Sequence, residues 1–130
     1  MSDEVLFSKA EKAREASYCP YSGYAVGAAL LCADGTVYTG ANIENASFPL
    51  TVCAERTAFF KAVSEGKRDF TAIAVSGGEK DKKYSACSPC GSCRQVMREF
   101  CGDDFRIVLF DGEKIKAFTL GELLPFGFSL

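Results

Sequence analysis

Residues 87 to 93 read Cys-Ser-Pro-Cys-Gly-Ser-Cys, in a chain with seven cysteines and no histidine. Seven thiols cannot all pair within one chain and a cytosol keeps thiols reduced, so a disulfide framework is the weaker reading of these sulfurs. Metal ligation or burial remains. Cys90 and Cys93 stand three apart where a helix is expected to begin, so both sulfurs face one way near the positive end of the helix dipole, a setting that favours thiolates. They form a ligand pair, and the fold has to bring whatever completes it to the same helix start. Cys53 is the other cysteine in such a setting, with Thr51 before it as the expected cap.

The remaining chain reads as alternating helices and strands. Ser2, Asp3 and Glu4 supply a cap and negative charge for a first helix, whose near-helical spacing of Leu6, Ala10, Ala13 and Ser17 ends at Pro20. Residues 24 to 33 and 36 to 41 flank Asp34-Gly35 and predict a hairpin, followed by a loop at 42 to 52 that is too polar for the core. A second helix runs from Cys53, with Ala58, Phe59, Ala62 and Val63 on one face, and closes at Gly66. The apolar run 70 to 76 suits a strand covered on both sides. Ser88 as cap and Pro89 as first helical residue predict a helix reaching Gly102. Residues 105 to 110 and 113 to 118 form a second hairpin about Asp111-Gly112, and Thr119 to Glu122 fits a capping box. The expectation is a three-layer α/β fold with a central mixed sheet, and one domain spanning all 130 residues.

Charge excludes some partners. Fifteen Lys and Arg are scattered among seventeen Asp and Glu, a formal net charge of -2, so neither nucleic acid nor an anionic membrane is an expected partner. The longest nearly apolar run, 24 to 33, is far below spanning length, and the first residues lack the apolar core of a signal peptide. A cytoplasmic location is expected.

Cys53 and Glu55 are two residues apart and would point to opposite sides in mid-helix. The helix must therefore start around Cys53, and two helix starts are expected to bring Cys53, Glu55, Cys90 and Cys93 together. Spacing alone leaves several chemistries open. One is a catalytic zinc with three protein ligands and an open position; another is a closed structural zinc with Cys87 as its fourth ligand. An iron–sulfur pattern stops short at Met97, and a dithiol at Cys90 and Cys93 leaves Cys53-Ala54-Glu55 unexplained. Cys19, Cys32, Cys87 and Cys101 read as small buried hydrophobes.

Cys53-Ala54-Glu55 followed by Pro89-Cys90-Gly91-Ser92-Cys93 resembles the signature of the zinc-dependent cytidine deaminases, in its three-cysteine form. The likeness extends to PYSGYAVGAA at 20 to 29, NIENAS at 42 to 47, CAERTA at 53 to 58, SPCGSCRQV at 88 to 96 and LLP at 123 to 125. It resembles the short enzymes acting on free nucleosides, and the resemblance implies an α/β/α fold with a five-stranded mixed sheet. It implies hydrolysis of cytidine and 2'-deoxycytidine, with Zn2+ on Cys53, Cys90 and Cys93, Glu55 as catalytic proton shuttle and Arg56 bonded to a ligand sulfur. It further implies Asn42 and Glu44 on the ribose, Ala54 backbone groups on the pyrimidine edge, and Tyr24 against the nucleoside. Finally, it implies a homotetramer in which Phe128 stacks in a neighbouring subunit's site. The sister reading is a deaminase of another aminopyrimidine, and a polynucleotide deaminase would need a cationic channel that this acidic chain lacks.

Overall fold

The structure, a computed structural model, describes residues 1–130. Its elements in chain order are α1 (Asp3–Ala13), β1 (Tyr24–Cys32), β2 (Val37–Ala41), α2 (Ala54–Ser64), β3 (Phe70–Glu79), α3 (Gly91–Phe100), β4 (Arg106–Phe110), β5 (Ile115–Thr119) and the short α4 (Leu120–Leu123). The five strands form one sheet in the order β2-β1-β3-β4-β5. Both predicted hairpins are present as β1–β2 and β4–β5, and β3 pairs with β4 in parallel, which makes the sheet mixed. A parallel pair needs a crossover, and α3 lies on it.

Alternation along β1 and β3 divides the apolar residues between two cores. On one face Leu6, Phe7 and Ala10 of α1 pack against Ala29, Ala72, Ala74 and Val108. On the other, Ala28, Leu30, Ile73, Val75 and Ile107 meet Ala54, Ala58, Phe59 and Ala62 of α2 and Met97 of α3. The expected three layers result. Phe59 is the central ring, fully buried and edge-on to Phe70 at 5.1 Å. Truncating such a ring typically costs about 3–5 kcal/mol.

Two glycines let helices touch the sheet. A Cβ on Gly27 would lie 2.1 Å from the Ala10 carbonyl oxygen, and one on Gly40 would lie 2.6 Å from that of Ala54. The second contact presses the start of α2, with Cys53 and Glu55, against β2.

Several local expectations shift. α1 ends at Ala13 and continues as a 3-10 turn over Arg14–Ala16, so Ser17 lies outside it. β3 runs three residues beyond 76, to Glu79. Ser88 does not cap α3, which begins at Gly91 with Cys90 in the N-cap position. Thr51 does not cap α2; Cys53 takes that position, and the Thr51 hydroxyl accepts from the Asn45 amide at 3.2 Å. The 42 to 52 loop is not wholly outside the core, because Asn42 and Glu44 are 9% and 8% exposed. The box at Thr119 and Glu122 forms as predicted.

Candidate active site

α2 and α3 begin in the same way. Cys53 (φ -71, ψ 154) and Cys90 (φ -68, ψ 167) are extended N-cap residues, and neither side chain bonds a backbone amide of its helix. An N-cap side chain folds back over the third helical residue. In α3 that residue is Cys93. In α2 it is Arg56, whose Nη2 donates to Cys53 Sγ at 3.2 Å. The sulfurs of Cys53, Cys90 and Cys93 all lie within 4.8 Å of one another. Cys93 is buried, Cys53 half-buried and Cys90 exposed, so the cluster has an open side.

This donor set fits a zinc ion. Three thiol sulfurs suit a soft or borderline divalent cation and not calcium or magnesium, which take oxygen. Electrostatics agree. A hydrogen bond from Cys93 and then the Arg56 guanidinium draw Cys53 down to about 5, against the effect of burial. Cys93 is pushed the other way, first by its bond to Cys53 and then by burial beside Glu55. Three sulfurs this close carry negative charge together only around a cation.

Glu55 stands at the second position of α2, with 4% of its surface exposed, and lines the same crevice. Burial raises its pKa, and the charge of Cys53 adds to the effect. Its carboxyl thereby holds a proton more readily than that of an exposed glutamate.

The crevice encloses about 240 Å³, and its walls include Tyr24, Val26, Asn42, Val52, Ala54 and Cys87. Asn42 is secured by its own chain: Oδ1 accepts from the Val26 amide at 2.9 Å and from the Ser17 hydroxyl, and Nδ2 donates to the Tyr24 carbonyl at 2.9 Å. Glu44 is absent from the crevice wall; its Oε1 accepts from the Tyr21 and Ser22 amides at 2.9 and 3.1 Å, and its Oε2 from the Ser22 hydroxyl. These bonds, that of the Ser22 side chain foremost, hold its carboxyl below the ordinary range. The Tyr24 hydroxyl lies 3.3 Å from Ser85 Oγ. Phe128 is 65% exposed and lines no part of this chain's crevice.

Sequence reasoning missed Cys87 as a wall residue. A Cβ on Gly77 would stand 2.7 Å from Cys87 Sγ, so the bare glycine lets Cys87 settle beside Tyr24. Val26 was also missed, although it follows Tyr24 at the two-residue period of β1. A larger hollow of about 510 Å³ lies between α1 and the turn at 80 to 82; its charged walls include none of the triad.

A family model for the cytidine and deoxycytidylate deaminase zinc-binding region matches residues 1–109. The chain belongs to the cytidine deaminase family. Among its relatives, the cytidine deaminase of Halalkalibacterium halodurans is 52% identical over 131 residues, covering 99% of this chain and 96% of the relative. That of Sporosarcina psychrophila is 49% identical over 130 residues, covering 99% and 93%. A crystal structure of cytidine deaminase from Burkholderia pseudomallei superposes with a TM-score of 0.89 at 44% identity, covering 98% of this chain and all of the other. The mixed five-stranded sheet is thus the family fold, and the cluster of Cys53, Cys90 and Cys93 is its zinc-binding region.

Proposed function

We propose that this protein hydrolyses cytidine and 2'-deoxycytidine to uridine and 2'-deoxyuridine, releasing ammonia, as a step of pyrimidine salvage in the cytoplasm. The observation that carries this reading is the meeting of three sulfurs with the buried carboxyl of Glu55 at one crevice. When bound by Cys53, Cys90 and Cys93, zinc supplies Lewis acidity that lowers the pKa of a water. Glu55 takes one proton from the attacking water and delivers it to ring N3; it then takes the second proton from the hydroxyl formed at C4 and passes it to the amino group, which leaves as ammonia when the C4–N bond breaks. Its raised pKa supports this double duty. The starts of α2 and α3 and the Arg56 guanidinium offset the negative charge of the three thiolates, which would otherwise weaken the Lewis acid.

The substrate contacts follow from free valences. Asn42 Nδ2 retains one N–H and Glu44 Oε2 retains acceptor capacity, and both turn to the ribose 3'-hydroxyl. Ala54 offers backbone groups to the pyrimidine edge, and Tyr24 and Val26 form the apolar wall against the nucleoside.

The active unit is a homotetramer with shared sites. A crevice of about 240 Å³ falls below the ~300–1,000 Å³ usual for small-molecule sites, so a further wall is wanted. Phe126 and Phe128 stand exposed at 104% and 65%, which supports their burial in another subunit, with Phe128 stacking on a neighbour's pyrimidine. The test is ammonia release from cytidine, deoxycytidine and free cytosine by zinc-loaded protein. Turnover of both nucleosides and poor turnover of cytosine is expected; no ammonia from cytidine overturns the reading.

A further inference from the structure

The helix that carries Cys93 also holds the end of the chain. Arg94, the next residue, donates from Nε to the Pro89 carbonyl at 2.8 Å and from Nη1 to the Leu123 carbonyl at 2.5 Å. One guanidinium therefore joins the peptide before Cys90 to the last residue of α4. Gln95 donates from Nε2 to the Phe128 carbonyl at 3.2 Å. One turn further on, Arg98 is ion-paired with Asp103 and packs on Gly127, where a Cβ would stand 2.9 Å from both Arg98 Nε and Leu124 Cδ2. Between these fastenings Phe126 adopts φ +56, a left-handed conformation that a bulky residue keeps only when its surroundings impose it. Its own ring is fully exposed and imposes nothing. The fastenings on either side set the turn.

We propose that Arg94 is a positioning residue: together with Gln95 and Arg98 it fixes the direction in which Phe128 leaves the chain. This rests on the reading that Phe128 completes a neighbouring crevice. Each protomer's metal-ligand helix is thereby the mount for the ring it sends to the next. An arginine suits the position because its planar fork reaches two carbonyls in fixed directions, whereas a lysine offers one mobile point charge. If Arg94 served only to hold the cysteine loop, its loss would appear in zinc content and not in nucleoside affinity.

The experiment is a double-mutant cycle on the zinc-loaded oligomer, comparing wild type, Arg94→Lys, Phe128→Ala and the double variant for zinc per chain, kcat and KM for cytidine. Arg94→Lys is expected to keep one zinc per chain and a kcat within about twofold, and to raise KM roughly 3- to 10-fold, the scale of one lost hydrogen bond. The double variant is expected to share the KM of Phe128→Ala alone, because no ring remains to be aimed. An unchanged KM in Arg94→Lys, effects that multiply in the double variant, or zinc below one per chain in Arg94→Lys overturns the proposal. If Phe128→Ala itself leaves KM unchanged, the shared-site reading falls and this proposal falls with it. Should Arg94→Lys fail to fold, Gln95→Leu decides in the same cycle, with an expected rise in KM of about 2- to 5-fold.

Discussion

The crevice at the starts of α2 and α3 and the tail after α4 are opposites in how they use polar and apolar groups. At the crevice and just behind its wall, polar side chains are held by the chain itself: Asn42, and Glu44 behind it, bond to backbone groups of residues 21 to 26, and Cys53 bonds Arg56. In the tail, rings that water disfavours are left outside, with Phe126, Phe128 and Leu130 all exposed. A polar crevice with one open side suits chemistry, whereas exposed rings suit contact with another surface. On the proposed reading one region carries the chemistry and the other the contact between subunits, and changes to the two should fail differently.

Within the crevice, Glu55→Gln is expected to have the largest effect. The amide keeps the shape but cannot shuttle protons, so turnover should fall by at least about a hundredfold while zinc stays at one per chain. Near-normal turnover would remove Glu55 from the chemistry. Arg56→Ala comes next: with its donor to Cys53 Sγ gone, zinc affinity measured by chelator competition should fall roughly 10- to 100-fold. Unchanged affinity would reduce Arg56 to an ordinary helix charge.

The tail should respond otherwise. Phe128→Ala is expected to leave zinc untouched and weaken cytidine binding by about 1–3 kcal/mol, the scale of one lost stacking contact. Light scattering of the wild type should give a tetramer; a fully active monomer would end the contrast between the two regions.

The smallest effect is expected at the β1–β2 turn, eight residues along β1 from Tyr24 and so roughly 25 Å from the crevice wall. Lys67 bonds Asp34 at 2.7 Å, and this bond, with the Thr36 amide, holds the Asp34 carboxyl down at about 2. A carboxyl lowered on folding adds stability above its ordinary value of 3.8, and that contribution is lost as pH falls toward 2. Asp34→Asn should therefore flatten acid unfolding only between about pH 4 and 2 and leave zinc and turnover unchanged. A loss of activity would show that the sheet transmits changes from that edge.

Much of the metal centre is legible in sequence because its logic is local. Cys53 and Glu55 two apart require a helix start between sheet and crevice, and Cys90 and Cys93 three apart require another. The start of α3 was misplaced for the same reason: Ser88-Pro89 is a good local signal, yet the chain stays extended through Cys90. The loop at 42 to 52 misled because polarity was taken for exposure. Asn42 and Glu44 are buried since backbone groups of residues 21 to 26 and the hydroxyls of Ser17 and Ser22 match their polar atoms, a pairing no local pattern announces. Cys87 joined the wall through Gly77, a contact between distant residues that spacing cannot reveal. Phe128 entered the sequence reading through the family resemblance alone, and the contacts of Arg94, Gln95 and Arg98 with residues 123 to 128 join segments that spacing does not connect.

On the proposed mechanism three thiolates and Glu55 make one hydrolytic metal site per chain. Its most direct test is to strip the protein of metal, titrate zinc back, and follow conversion of cytidine to uridine by absorbance. Activity is expected to rise linearly and stop at one zinc per chain, with the same endpoint in Cys87→Ser, since Cys87 lines the crevice and stands outside the cluster of Cys53, Cys90 and Cys93. Deamination that persists without metal, no deamination at full loading, or loss of zinc in Cys87→Ser would contradict it.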